Sequence, residues 1–112
     1  MTPALLISLA TPVLAQTQSQ RRAKADRLLD QGFQQSQISQ YREALQSWQL
    51  ALEIYQEIGD RNGEATVIGN LGLAYGNLGQ YDQAIEYSQQ SLVIFQEIGD
   101  RNGEAQFGFY LQ

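Results

Sequence analysis

The sequence predicts an all-α protein, a helical solenoid of about two and a half stacked helix pairs. Three observations carry this. The first is an internal repeat: Gln56-Glu57-Ile58-Gly59-Asp60-Arg61-Asn62-Gly63-Glu64-Ala65 recurs unchanged as Gln96 to Ala105, an offset of 40. Over Gln40 to Ala65, sixteen of twenty-six positions are identical in the second copy. A period of this size marks stacked supersecondary units. The second is periodicity within each copy. Tyr41, Ala44, Leu45, Trp48, Leu52, Tyr55 and Ile58 step by three or four, as do Ala65, Ile68, Leu71, Gly72, Tyr75 and Leu78. Each set lies along one face of a helix. The third is that no stretch alternates with period two, which argues against a propeller of similar repeat length.

Taken in chain order, the first fifteen residues carry no charge, and Ala4 to Val13 is mostly apolar. The run is too short to span a bilayer, which needs roughly 20 residues. Val13-Leu14-Ala15 suits a signal peptidase site, so residues 1–15 are expected to be a cleaved export signal. The basic n-region of such signals is missing. The expected location is secreted or periplasmic if the signal is real, and cytoplasmic otherwise, with no stable membrane insertion after cleavage. N-terminal sequencing of protein from its native host is expected to begin at Gln16; an intact Met1 start in the cytosol would overturn the export reading.

Residues 16–24 form a basic polar segment, and 25–112 the repeat domain, divided at about 25–64, 65–104 and a partial 105–112. Arg21, Arg22, Lys24 and Arg27 face only Asp26 and Asp30 near the start, whereas three Arg and ten carboxylates follow from Gln31 onward. The basic cluster reads as a solvated tail or first turn. Gly59 ends one helix, because glycine takes the left-handed conformation at little cost, and Asp60 can cap the next. Gly79-Gln80 breaks the following pair. Gly72 with Ala44 or Ala84 leaves room for close helix approach, with Tyr41, Tyr75 and Tyr81 filling the space beside them. Tyr41, Trp48 and Tyr55 at helical spacing read as core.

Composition narrows the function. Cys and His are absent, which removes thiol nucleophiles, imidazole bases and the commonest zinc ligands. The net charge of −5 disfavours nucleic acid. The carboxylates recur at matched places in duplicate turns, where helix capping explains them. No catalytic, cofactor or metal residue is expected, and the chain is not read as an enzyme.

Ile68, Leu71-Gly72, Tyr75, Gly79-x-Tyr81, Ala84, Ser88 and Ser91 resemble the signature of the tetratricopeptide repeat (TPR) family, and Tyr41, Ala44, Trp48 and Ala51 give a second half-repeat. Leu28 and Gly32 fit the preceding half, but Gln31 and Gln35 stand where Leu and Tyr belong. The period of 40 exceeds the usual 34. In that respect the chain is similar to cyanobacterial TPR arrays, including those attached to CHAT protease domains, and to kinesin light chain repeats, with helices of about eighteen residues. The resemblance implies a TPR-like right-handed solenoid that binds a protein or peptide in a concave groove, without a cofactor.

On the same resemblance the groove falls on Leu29, Asp30 and Phe33, then Thr66, Gly69, Asn70, Leu73 and Asn77, then Gln106, Phe109 and Tyr110. The candidate peptide-binding residues are Leu29, Phe33, Asn70, Leu73, Asn77 and Phe109. Asn70 stands out because its carboxamide both donates and accepts, matching an extended peptide backbone. The family's carboxylate clamp is absent apart from Asn70, which disfavours chaperone-tail partners. The alternative function is an assembly or oligomerisation piece of a longer array whose effector domain is missing. Gly103 and Gly108 are expected to fray the last segment, since glycine in a helix costs ~1 kcal/mol against alanine. Phe107, Phe109, Tyr110 and Leu111 would then be partly exposed and promote self-association through the C-terminal end.

Overall fold

The computed structural model describes residues 16–108 as five α-helices joined by tight turns. They are α1 (Gln18–Gln37), α2 (Tyr41–Ile58), α3 (Arg61–Asn77), α4 (Tyr81–Ile98) and α5 (Arg101–Gly108). Among the described residues there is no strand. Consecutive helices pack on one another, which makes an all-α, TPR-like helical solenoid. The export-signal reading, and the expectations for Phe109, Tyr110 and Leu111, fall outside the described residues.

The first helix begins inside the basic segment of residues 16–24. Thr17 caps α1 with a reciprocal pair of bonds: Gln20 N–H donates to Thr17 Oγ1 at 3.1 Å and Thr17 N–H to Gln20 Oε1 at 3.0 Å. Two orphan amides are thereby satisfied, and the basic segment becomes helical. It is no free tail. Arg21 pairs with Glu57, and Arg22 Nε lies 3.1 Å from Asp60 Oδ2.

The joints behave as the repeat demands. Gly59 and Gly99 close α2 and α4 at φ 73° and 72°. Asp60 and Asp100 then cap α3 and α5, each accepting an N–H three residues on, from Gly63 and Gly103, at 3.0 Å. Gly79 is left-handed at φ 79°, and Ser39, its counterpart at the first joint, takes φ 65° without being glycine.

Glycines set the packing, because they let aromatic rings lie directly on helix backbones. A Cβ at Gly32 would come within 2.2 Å of the Trp48 ring, and one at Gly63 within 2.5 Å of Tyr55. Gly69 and Gly103 are covered in the same way by Phe107 and Phe95. This corrects the expected exposure of Phe107. Gly103 is buried under Phe95, and Phe107 is 1 % exposed and stacked on Phe95 at 5.7 Å. The glycine that weakens the helix locally is what admits the ring that holds it.

Two apolar clusters result. One joins α1, α2 and α3 through Ala25, Ala44, Trp48, Ala51, Tyr55, Val67, Leu71 and Ala74. The other joins α3, α4 and α5 through Ala65, Ile68, Ile94, Phe95 and Phe107. Tyr41 is half-buried, while Tyr75 stacks on Tyr87 at 5.3 Å. Tyr81 does not fill the space beside Gly72; it is 69 % exposed. Gly72 is the close contact the sequence implies: a Cβ there would lie 3.1 Å from the Ala84 carbonyl oxygen and 3.0 Å from Ser88 Oγ. Gly72→Leu is expected to cost ~1–3 kcal/mol by overpacking, read as a lower melting temperature. An unchanged melt would contradict this packing.

Candidate functional site

α1 and α3 carry the groove residues, and the structure distributes them unevenly. Leu29 and Phe33 are drawn toward α2. The Leu29 carbonyl accepts the Trp48 Nε1–H at 3.0 Å, and the Phe33 ring meets Trp48 edge-on at 5.8 Å. Phe33 nevertheless keeps 39 % of its surface exposed. Leu73 and Asn77, one turn apart on α3, line a crevice between α3 and α4. Asn77 is exposed at its rim, with its Nδ2 donating to the Leu73 carbonyl at 3.1 Å. Thr66 Oγ1 likewise bonds back to its own helix, at Asn62 O, 2.9 Å. Phe109 lies outside the described residues.

Asn70 behaves differently from these. It is 1 % exposed, and neither Oδ1 nor Nδ2 has a hydrogen-bond partner among the described residues. An unmade hydrogen bond on a buried group costs ~1–3 kcal/mol, and such groups are few in native structures. Two other buried hydroxyls are satisfied. Ser91 Oγ donates to the Ala65 carbonyl at 2.7 Å, and Ser47 Oγ to Gln35 Oε1 at 2.7 Å. The latter explains a departure from the repeat pattern, since Gln35 occupies a place where an aromatic ring is expected.

The titratable groups are occupied structurally. Tyr55 is buried and donates its hydroxyl to Asp26. Burial foremost, and then that hydrogen bond to a carboxylate, hold its phenol well above the usual range. Arg61 bridges Glu97 at 2.7 Å and Glu64 at 3.0 Å, and Asn62 Nδ2 donates to Asp100 at 2.7 Å. These contacts repeat those of Arg21 and Arg22 one copy earlier. Exposed pairs contribute ~0–1 kcal/mol each, so their effect is on register rather than stability. Among the described residues, no group of three Asp or Glu converges as a metal site, and no helix is long and apolar enough to cross a membrane.

The sequence reading missed the crevice between α3 and α4. Its floor and walls include Gly72, Gly76, Ala84, Ile85 and Ser88, and its volume is about 420 Å³. The signal was present: Ser88 stands 40 residues after Trp48, so a large core ring is replaced by a hydroxymethyl group.

The family model for the tetratricopeptide repeat matches residues 25–97. No match was found among curated proteins.

Proposed function

Because this chain belongs to the tetratricopeptide repeat family, we propose that it is a non-catalytic scaffold that grips an extended peptide segment along α1 and α3. TPR repeats in general mediate protein–protein interaction, and that much holds for the family. The single observation that carries the finer reading is the unpaired, buried carboxamide of Asn70. A peptide backbone offers one N–H and one C=O per residue, the complement of what Asn70 lacks. Binding requires the side chains around Asn70 to part, and the two new bonds offset that cost. Leu29, Leu73 and the exposed edge of Phe33 supply apolar surface on either side, and Asn77 a polar rim.

The absence of catalysis rests on the carboxylates. Asp60 and Asp100 are caps, and Glu57, Glu64 and Glu97 are in ion pairs. Export after cleavage at Ala15 remains part of the proposal, on the sequence pattern of residues 1–15 alone.

The test is selection of random displayed peptides on the immobilised protein. The expected result is enrichment of a common motif that is lost on an Asn70→Leu surface. No enrichment, or equal enrichment on both, would refute the groove.

A further inference from the structure

The groove face of α3 is the row Asn62, Thr66, Asn70, Leu73 and Asn77, none of them charged. Forty residues earlier, the same places on α1 are Arg22, Asp26, Asp30, Phe33 and Gln37. Steps of three and four residues keep each row on one side of its helix. The α1 row therefore brings two carboxylates, one helical turn apart, to the side that carries Phe33. Both are exposed. Asp26 is held in place, since it accepts the Tyr55 hydroxyl. The Tyr55 ring lies against Gly63 of α3, which puts Asp26 on the α3 side of α1. Asp30 shares that side. After burial and the Asp26 bond, the charges of Asp26, Asp60 and Asp30 help to hold the Tyr55 phenol above its usual range. No cation of the chain covers Asp30 among the described residues. Arg22 pairs with Asp60 at 3.1 Å, and neither Lys24 nor Arg27 forms an ion pair with Asp30. Residues 1–15 and 109–112 contain no Lys or Arg, so neither stretch brings a cationic side chain to the row.

We propose that the groove selects basic peptides: a Lys or Arg of the bound segment pairs with Asp30 on α1 while the segment's backbone bonds the Asn70 carboxamide on α3. This rests on the peptide-groove reading above and adds a side-chain preference to it. Asp30 and Asn70 hold the same place in consecutive helix pairs, so one extended segment crossing from α3 to α1 meets both. Asn70 is an independent sign of a ligand, being 1 % exposed with no hydrogen-bond partner among the described residues. A carboxylate that receives a cation makes a charge-assisted hydrogen bond, stronger than a neutral one. Phe33, one turn on from Asp30, keeps 39 % of its surface exposed. Its ring suits the flat guanidinium of Arg or the aliphatic stem of Lys. An acidic peptide would meet Asp26 and Asp30 in a row whose one Arg is already paired, and like charges repel. A metal ion is a poorer occupant, because no three carboxylates converge as a metal site among the described residues.

The experiment selects one random displayed peptide library on the parent, Asn70→Leu, Asp30→Asn, Asp30→Lys and Glu53→Gln, each shown to be folded by its melt. Asp26 already holds the Tyr55 hydroxyl, so Asp30 is the residue changed. Glu53 is an exposed carboxylate of α2 outside the groove rows, and Glu53→Gln removes the same charge from the protein. The parent and Glu53→Gln are expected to enrich one motif with Lys or Arg at a fixed place. On Asp30→Asn that place should lose its preference, and on Asp30→Lys it should turn to Asp or Glu. A synthetic peptide of the parent motif should bind Asp30→Asn ~tenfold more weakly by calorimetry, as for a lost hydrogen bond to a charged group. A motif that is lost on Asn70→Leu but has no fixed basic residue would overturn this inference and leave the groove standing. No enrichment on the parent would overturn both. A basic motif that survives unchanged on Asp30→Asn, or weakens as much on Glu53→Gln, would overturn the pairing and mark a general attraction to a chain of net charge −5.

Discussion

Trp48→Ala is expected to destabilise the chain by ~3–5 kcal/mol, the range for removing a buried aromatic ring. Trp48 is 2 % exposed and stands in the middle of the cluster that joins α1, α2 and α3. Its removal takes away three things together. The ring no longer covers Gly32, whose bare backbone was matched to it. Phe33 loses its edge-on partner, and such aromatic pairs add ~0.5–1.5 kcal/mol beyond burial. The Leu29 carbonyl loses the indole N–H. The loss is a large share of the ~5–15 kcal/mol typical of a whole domain. In a domain of this size each kcal/mol moves the melting temperature by roughly 4–8 °C, so the transition should fall by roughly 12–40 °C. Thermal and urea melts read this directly, and a cost below ~1 kcal/mol would mean the first pair is not packed around this ring.

Asn70→Leu should act in the opposite sense on stability. The carboxamide is buried and unpaired, and Leu has a similar size without the polar atoms. Replacing an unsatisfied group by an apolar one of like shape is nearly neutral or stabilising, so the variant should melt at or above the parent temperature. Its peptide affinity should fall at least ~tenfold, as expected when charge-neutral hydrogen bonds of ~0.5–1.5 kcal/mol each are removed in a pair. A variant that is more stable and less active marks a residue kept for binding rather than folding.

Much of the fold was legible because it rests on local rules. Gly59 and Asp60 announce a helix end and a helix start in adjacent residues, and the structure uses both as the rules predict. Tyr41, Trp48 and Tyr55 at helical spacing gave the buried face of α2, with Tyr41 only half-covered. What escaped depends on contacts between helices. Gly103 weakens a helix in isolation, and only the Phe95 ring across the interface turns it into an asset. Tyr81 matches Tyr41 in sequence but is exposed, because what surrounds the two rings differs. The start of α1 was not read from the sequence, although Thr17-x-x-Gln20 is a capping-box pattern. Of the candidate site, Asn70 was legible as a residue type. Its burial was not, since a groove position is normally wet. The crevice at Ser88 could have been read from the Trp48–Ser88 difference, but only by asking what a missing ring leaves behind.

The most direct test of the scaffold reading is calorimetric titration of a selected peptide into the parent chain and into Asn70→Leu, both shown to be folded by their melts. The account predicts binding to the parent and an affinity at least ~tenfold weaker for the variant. Equal affinity for the two proteins would contradict it, because the peptide would then be held without the buried carboxamide that, among the described residues, has hydrogen bonds left to make.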